Sequence, residues 1–281
     1  MGKILYLFLY AALVVSCSEW ENDIYKKETV DVTEPDNMEI VTPDGQLYNM
    51  SLDYWTKSGS NEFCYAPDAS ESEKLVWATP NATTSFLGYP TCVPEREFVA
   101  VEGPGKTAVK LQTRLVNALI SKKLASGCLF TGQMGNINIS KMNASLKWGV
   151  PFTLRPKSME GYACYKPVAI DNAKAPYESM VGETDKAHLY VVLADWTEQF
   201  IVDPAESKFL DVDNDQAIIG YGIVTFDHDM EGYEKFSIEI EYRNSRTPRY
   251  LVIVAASSRL GDYFTGGDGS TLYLDEFKFN Y

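Results

Sequence analysis

The chain has 281 residues, 45% of them hydrophobic, and a formal net charge of -14. That hydrophobic share excludes a disordered chain. An acidic surface with no basic stripe repels phosphate backbones, which excludes nucleic-acid binding. The 18 tyrosines and the frequent β-branched residues favour strands.

At the N-terminus Lys3 precedes an uncharged apolar run from Ile4 to Val15. The run falls short of the roughly 20 residues a membrane span needs and suits the apolar core of a signal peptide, here residues 1–16. Its end, Val14-Val15-Ser16-Cys17, resembles a bacterial lipobox. The small Ser16 fits the peptidase subsite before the cut, and the Cys17 thiol is the nucleophile that accepts diacylglycerol. The acidic stretch from Ser18 to Asp23, interrupted by Trp20, resembles the surface-export signal of lipoproteins in polysaccharide-using Gram-negative gut bacteria. The expectation is an outer-membrane protein, anchored through acyl chains such as palmitate on Cys17 and displayed at the cell surface. Two or more acyl chains hold such an anchor stably. Residues 17–40 read as a tether carrying Glu34-Pro35-Asp36, and 41–281 as a single domain.

Within that domain, turns and short strands alternate. Pro43-Asp44-Gly45 and Gly103-Pro104-Gly105 are turn signals. Val109, Leu111 and Thr113 share one face, with Lys110, Gln112 and Arg114 on the other, which predicts a half-buried strand. Arg114 to Ala125, closed by Gly127, predicts one short helix. Leu189 to Ala194 is continuously apolar and predicts a strand buried on both faces. After the turn signal Asp229-Met230-Glu231-Gly232, Phe236, Ile238, Ile240 and Tyr242 alternate with Ser237, Glu239 and Glu241. Tyr250 to Ala256 is a second doubly buried strand, and Gly266-Gly267-Asp268-Gly269 a further turn. In the last strand Leu272 and Leu274 are out of phase with Phe277 and Phe279, so a bulge near Asp275-Glu276 is expected to reconcile them. Many short strands with turn punctuation predict an all-β protein, a β-sandwich of jelly-roll type.

Several segments, in order, resemble one family. They are Trp77 to Asn81, Ala108 to Thr113, Gly127 to Gly132, Gly149 to Lys157, Gly161 to Pro167, Ser257 to Ser270 and Leu272 to Phe277. Among them Pro151-Phe152-Thr153 and Gly261-Asp262-Tyr263-Phe264-Thr265-Gly266-Gly267 are the most specific. The chain resembles the putative carbohydrate metabolism domain (PCMD) found in lipoproteins of gut anaerobes. The resemblance implies a jelly-roll sandwich similar to carbohydrate-binding modules and a carbohydrate partner, a polysaccharide or oligosaccharide. It supplies no catalytic residues.

Candidate sites follow from residue chemistry. Sugar C–H faces stack on aromatic rings, which nominates Trp148, Tyr162, Tyr165, Trp196, Tyr263 and Phe264. Tyr263 and Phe264 stand out, because large aromatics in a Gly-rich loop either plug the sandwich end or meet a ligand. Asp211, Asp213 and Asp215 alternate in a loop and carry the oxygen chemistry of a structural calcium. Gln216 and Gly222 break the EF-hand pattern there, so an acidic solvated turn is the favoured reading. Asp275, a polar residue in an apolar strand, is a further metal candidate, weighed equally against an Asp paired with a backbone amide. Gly103 to Thr107 mimics half a phosphate loop, but Ala100 stands where the first glycine belongs, which leaves a hairpin turn. His188 and His228 fit no zinc or nucleophile-elbow pattern and read as ordinary packing or surface residues. Cys64, Cys92, Cys128 and Cys164 permit two disulfides or four buried thiols, at spacings that suit no metal knuckle. The leading expectation is a surface lipoprotein that binds glycan without catalysis. A structural or adhesive envelope protein and a glycoside-active enzyme are the rival classes.

Overall fold

The computed structural model describes residues 39–281 apart from 60, 86–87, 119–120 and 139–142. The signal segment, Cys17 and the tether up to residue 38 lie outside the described residues.

The strands, in chain order, are β1 (Thr56–Ser58), β2 (Asn61–Phe63), β3 (Trp77–Ala78), β4 (Cys92–Glu95), β5 (Ala108–Gln112), β6 (Arg114–Ala118), β7 (Ser121–Ala125), β8 (Cys128–Asn138), β9 (Asn143–Trp148), β10 (Val150–Pro151), β11 (Ser158–Lys166), β12 (Ala187–Ala194), β13 (Phe200–Val202), β14 (Ile218–Phe226), β15 (Glu234–Glu239), β16 (Glu241–Tyr242), β17 (Tyr250–Ala256) and β18 (Thr271–Asn280). The larger sheet runs β13-β9-β8-β17-β12-β14-β16, with β10 added on β17 and β3 on β8. The smaller sheet runs β15-β11-β18-β5-β4. Among the described residues the pairings are antiparallel, as the sandwich expectation requires.

The two sheets meet through the residues that period-two alternation turns inward. Leu189, Val191 and Leu193 of β12 and Leu251, Ile253 and Ala255 of β17 face Val109, Leu111, Met159, Leu272 and Leu274 of the smaller sheet in one core. The alternate residues Val192, Ala194, Val252 and Val254 belong to a second apolar cluster on the opposite face of the larger sheet. Burial on both faces is why β12 and β17 read as unbroken apolar runs.

The bulge in β18 sits where the phase change requires it. Glu160 pairs with Lys278 and Tyr162 with Asp275, so Glu276 and Phe277 stand opposite Gly161 alone. Glu276 takes a φ of 51°. A Cβ on Gly161 would meet the rings of Phe236 and Phe277 at 2.9 Å and the Asp275 carbonyl oxygen at 3.1 Å, so a side chain there would force its neighbours to shift. With the slip absorbed, Leu272, Leu274, Phe277 and Phe279 all bury in the same core.

The helix expected from Arg114 to Ala125 is not formed. That segment is the antiparallel hairpin β6–β7, with Leu115 opposite Leu124 and Val116 opposite Lys123. Pairing satisfies the backbone locally and lets Val116 and Leu124 bury, a tertiary advantage that outweighs helix propensity. The Gly103 turn closes by a Lys106 to Gly103 backbone bond, within the connection joining β4 to β5. Its Lys106 side chain bridges the Asp53 carboxylate, at 2.9 Å, and that of Glu276. The four cysteines of the domain are free thiols.

Candidate functional site

The side chains of β12 that point away from the sandwich core begin with His188 and Tyr190, in phase with Val192. Register places Tyr190 between Val254 of β17 and Ile223 of β14, and His188 between Ala256 and Thr225. Aromatic rings gather around Tyr190. Trp148 lies 6.2 Å away at 66°, His188 5.2 Å away at 89°, and Tyr221 6.4 Å away at 48°, centroid to centroid. Trp148 also meets Phe130 at 6.4 Å. Toward Ala194 the face is covered by Trp196, Phe200, Phe209, Leu210 and Val212. Toward His188 it is only partly open: His188, Tyr190 and Tyr221 are half-buried and Ile223 is 45% exposed.

A loop from Ser257 to Ser270 borders the open part. Buried polar groups fix its course, each with a partner. Asp185, itself buried, accepts the Ser258 hydroxyl at 2.5 Å and the Gly267 amide at 2.8 Å on one oxygen, and the Lys186 amide at 2.8 Å on the other. Burial pushes its carboxyl up, against these hydrogen bonds. The Thr113 hydroxyl lies 2.8 Å from that of Ser257 and 2.6 Å from that of Ser258. This network accounts for the Ser257-Ser258 and Gly266-Gly267 pairs of the family-like block.

The loop carries a single 3-10 turn, Gly261–Tyr263. The Tyr263 ring lies between Tyr177, at 5.1 Å, and Phe209, at 5.0 Å. Asp262, in the middle of that turn, is exposed at the protein surface. Burial pushes its carboxyl up to about 6, and its charge acts on Cys128 and Tyr190. The surroundings push the Tyr190 hydroxyl and the Cys128 thiol well above their ordinary ranges, chiefly by desolvation. His188 is lowered to about 4, first by desolvation and then by the Arg259 charge. Its imidazole is therefore neutral near pH 7.

The structure sorts the predicted aromatics. Trp148 supports Tyr190 from within the cluster; it is buried, and its Nε1 has no hydrogen-bond acceptor among the described residues. Tyr263, 37% exposed, borders the open face. Trp196 lies in the covering layer, where its Nε1 donates to Asp215 at 2.9 Å and its ring packs on Phe200 at 5.2 Å. Phe264 takes a left-handed φ of 53° beneath the Lys123 ammonium, 5.8 Å from its ring centre. Tyr162 stands on the smaller sheet, opposite Lys235 and Asp275, apart from this group. Tyr165 corrects its expectation: it is fully buried between the sheets, and its hydroxyl donates to the Ser257 carbonyl at 3.1 Å. No ligand reaches it there.

Asp211, Asp215 and Asp275 are engaged by the protein. Asp211 accepts the Asn214 amide at 3.1 Å and its side-chain Nδ2 at 3.0 and 2.9 Å. Asp215 accepts the Ala217 amide at 2.9 Å as well as Trp196. Asp213 lines an open polar depression of about 410 Å³ with Asp215, Gln216, Ile218, Arg243, Asn244 and Arg246. Asp275 is buried; one oxygen accepts the Ala100 amide at 2.8 Å and the other has no partner among the described residues. Among the described residues no three His, Cys, Asp or Glu side chains gather as a metal cluster. Calcium takes six to eight oxygens, a donor set these residues do not assemble.

His188, Tyr190, Tyr221 and Asp262 were absent from the sequence-derived candidates. The signal for the first two was the odd–even phase of Ala187 to Ala194, which puts them on the face opposite Leu189. Nothing local marked Asp262, because its setting depends on Cys128 and Tyr190, far away in sequence.

The structure resembles two solved proteins. One is described as a putative glycoside hydrolase from Bacteroides thetaiotaomicron: 19% identical, TM-score 0.61, covering 82% of this chain and 70% of that one. The other is described as a putative glycoside hydrolase from Bacteroides vulgatus: 18% identical, TM-score 0.58, covering 80% of this chain and 94% of that one. At these identities the likeness concerns the fold. No curated protein matches. The family description "putative carbohydrate metabolism domain" (PCMD) matches residues 51–280, and the chain belongs to that family.

Proposed function

We propose that this protein is an envelope lipoprotein that captures glycan, without catalysis, on the outer face of its larger sheet. The observation that carries the reading is the aromatic cluster on that face, half-buried Tyr190 with Tyr221 and His188, together with the exposed ring of Tyr263. Pyranose rings present flat C–H faces that stack on aromatic rings, while their hydroxyls need polar groups at the edge. Tyr263 supplies such a ring beside the Asp262 carboxylate. The neutral imidazole of His188 both donates and accepts hydrogen bonds.

Binding is favoured over hydrolysis by where the perturbed carboxyls lie. Glycoside cleavage uses two carboxyl groups about 5–9.5 Å apart, with the acid's pKa raised. Asp262 and Asp275 are each pushed up to about 6, but they belong to different parts of the sandwich, the first on the larger-sheet face and the second in the smaller sheet. Asp185, also raised by burial, has both oxygens taken by Ser258, Gly267 and Lys186.

The test is retention of the purified protein on a panel of immobilised polysaccharides, followed by assay of each for new reducing ends. Retention without new reducing ends supports the reading. Reducing ends would make the protein a glycosidase, and no retention of a folded protein would favour an adhesive role. The anchor is tested separately: labelling with a palmitate analogue is expected for the native chain and lost in Cys17→Ser.

A further inference from the structure

We propose that the depression lined by Asp213 and Arg243 is a second subsite for the same glycan, holding a neutral, hydroxyl-rich sugar residue by hydrogen bonds beyond the aromatic face. The inference rests on the reading of that face given above and extends it along the sugar chain.

The first ground is what the cavity leaves free. Bonds within the protein fix its walls. Asp215 accepts the Trp196 Nε1 on one oxygen and the Ala217 amide on the other, each at 2.9 Å. Arg246 donates to Asp195 at 2.5 Å, to Asn244 Oδ1 at 3.3 Å and to the Gln216 carbonyl. Asp213 and Arg243 line the same 410 Å³, yet neither has a hydrogen-bond or ion-pair partner among the described residues. Ligand pockets run from roughly 300 to 1,000 Å³, so the space suits a sugar residue. An unpaired carboxylate and an unpaired guanidinium offer a strong acceptor and a strong donor to one occupant. Adjacent sugar hydroxyls answer both, because each O–H donates and accepts. A charged substituent would suit one of the two groups and be repelled by the other.

The second ground is position. Ile218 lines the depression, and Tyr221 belongs to the aromatic face. Regular alternation would turn these two residues of β14 to opposite faces. The register slips here: Leu193 pairs with Gly220 and Ala194 with Ile218, so Ile219 is extra and both Ile218 and Tyr221 join the outer-face cluster. Along the strand they lie roughly 10 Å apart. The Arg243 amide donates to the Ile219 carbonyl at 2.7 Å, which fixes Arg243 beside this stretch. A glycan stacked on Tyr190 and Tyr221 enters the depression by continuing along β14.

The experiment titrates short and long members of neutral gluco-, xylo-, manno- and galacto-oligosaccharide series into the purified native protein, Arg243→Ala and Asp213→Ala, with the melting temperature of each recorded. In a series that binds, the native protein should gain about tenfold in affinity from short to long members, which one charge-assisted hydrogen bond supplies. Each substitution should abolish that gain and leave affinity for short members within twofold of native. Melting temperatures should not change, since both side chains are exposed. An affinity independent of length, or a gain that either variant keeps, overturns the inference and leaves capture at the aromatic face standing. So does a folded native protein that binds none of these series but is retained on another glycan. No retention on any glycan overturns both.

Discussion

The rings of Tyr263 and Phe209 meet at 5.0 Å, tying the loop between β17 and β18 to the segment between β13 and β14. Tyr263 is nevertheless 37% exposed, so it has a free surface to offer a ligand. Tyr263→Ala should weaken glycan affinity about tenfold, roughly 1.4 kcal/mol. Its melting curve should move little, since a part-exposed ring contributes about 1 kcal/mol or less to folding. Calorimetric titration and thermal unfolding of the same sample separate the two effects.

Tyr165 carries the opposite expectation. It is fully buried and bonded to Ser257. Tyr165→Phe should cost about 1 kcal/mol in denaturant unfolding through the lost hydrogen bond. Tyr165→Ala should cost about 3–5 kcal/mol through the cavity it leaves. Glycan affinity of the Phe variant should equal that of the native protein.

Asp275 predicts a pH dependence. Burial, with help from the charges of Glu276 and Asp53, pushes its carboxyl up to about 6, although the Ala100 amide opposes the shift. A pKa raised above that of the unfolded chain means that folding favours the protonated form. Its contribution is therefore fully present below about pH 4 and lost as pH rises through about 6. Two units correspond to a difference on the order of 2–3 kcal/mol. Asp262 titrates in the same window, so the useful quantity is the difference between native protein and Asp275→Asn. Thermal unfolding from pH 4 to 7 should show the native protein losing stability relative to Asp275→Asn as pH rises. A constant difference across that range would refute the assignment.

Gly132 in β8 has a φ of 135°, and a Cβ there would lie 2.1 Å from the Lys147 carbonyl of β9. Gly132→Ala should destabilise the domain by more than about 2 kcal/mol, because the strand pair must separate to admit the methyl. Denaturant titration measures the loss.

Much of this architecture was legible in the sequence. The bulge at Asp275-Glu276 followed from one phase slip, and the doubly buried strands β12 and β17 from their apolar runs. The β6–β7 hairpin was not legible, because Arg114 to Ala125 carries helix-compatible residues and cross-strand pairing decided the outcome. Of the aromatic candidates, Tyr263 was found through its Gly-rich setting. Tyr162 and Tyr165 share one strand, β11, where alternation turns Tyr165 into the core and Tyr162 toward the opposite face of the smaller sheet. The face around Tyr190 draws on β8, β9, β12, β14 and two loops, an arrangement set by sheet order that no local pattern encodes.

The measurement that bears most directly on glycan capture at this face is titration of one retained glycan into native protein, Tyr190→Ala and Tyr162→Ala. The two tyrosines lie on different sheets, which makes each the control for the other. The account predicts at least a tenfold loss of affinity for Tyr190→Ala, about 1.4 kcal/mol, and none for Tyr162→Ala. Native affinity in a folded Tyr190→Ala, with binding lost in Tyr162→Ala, would contradict it and move the site to the smaller sheet.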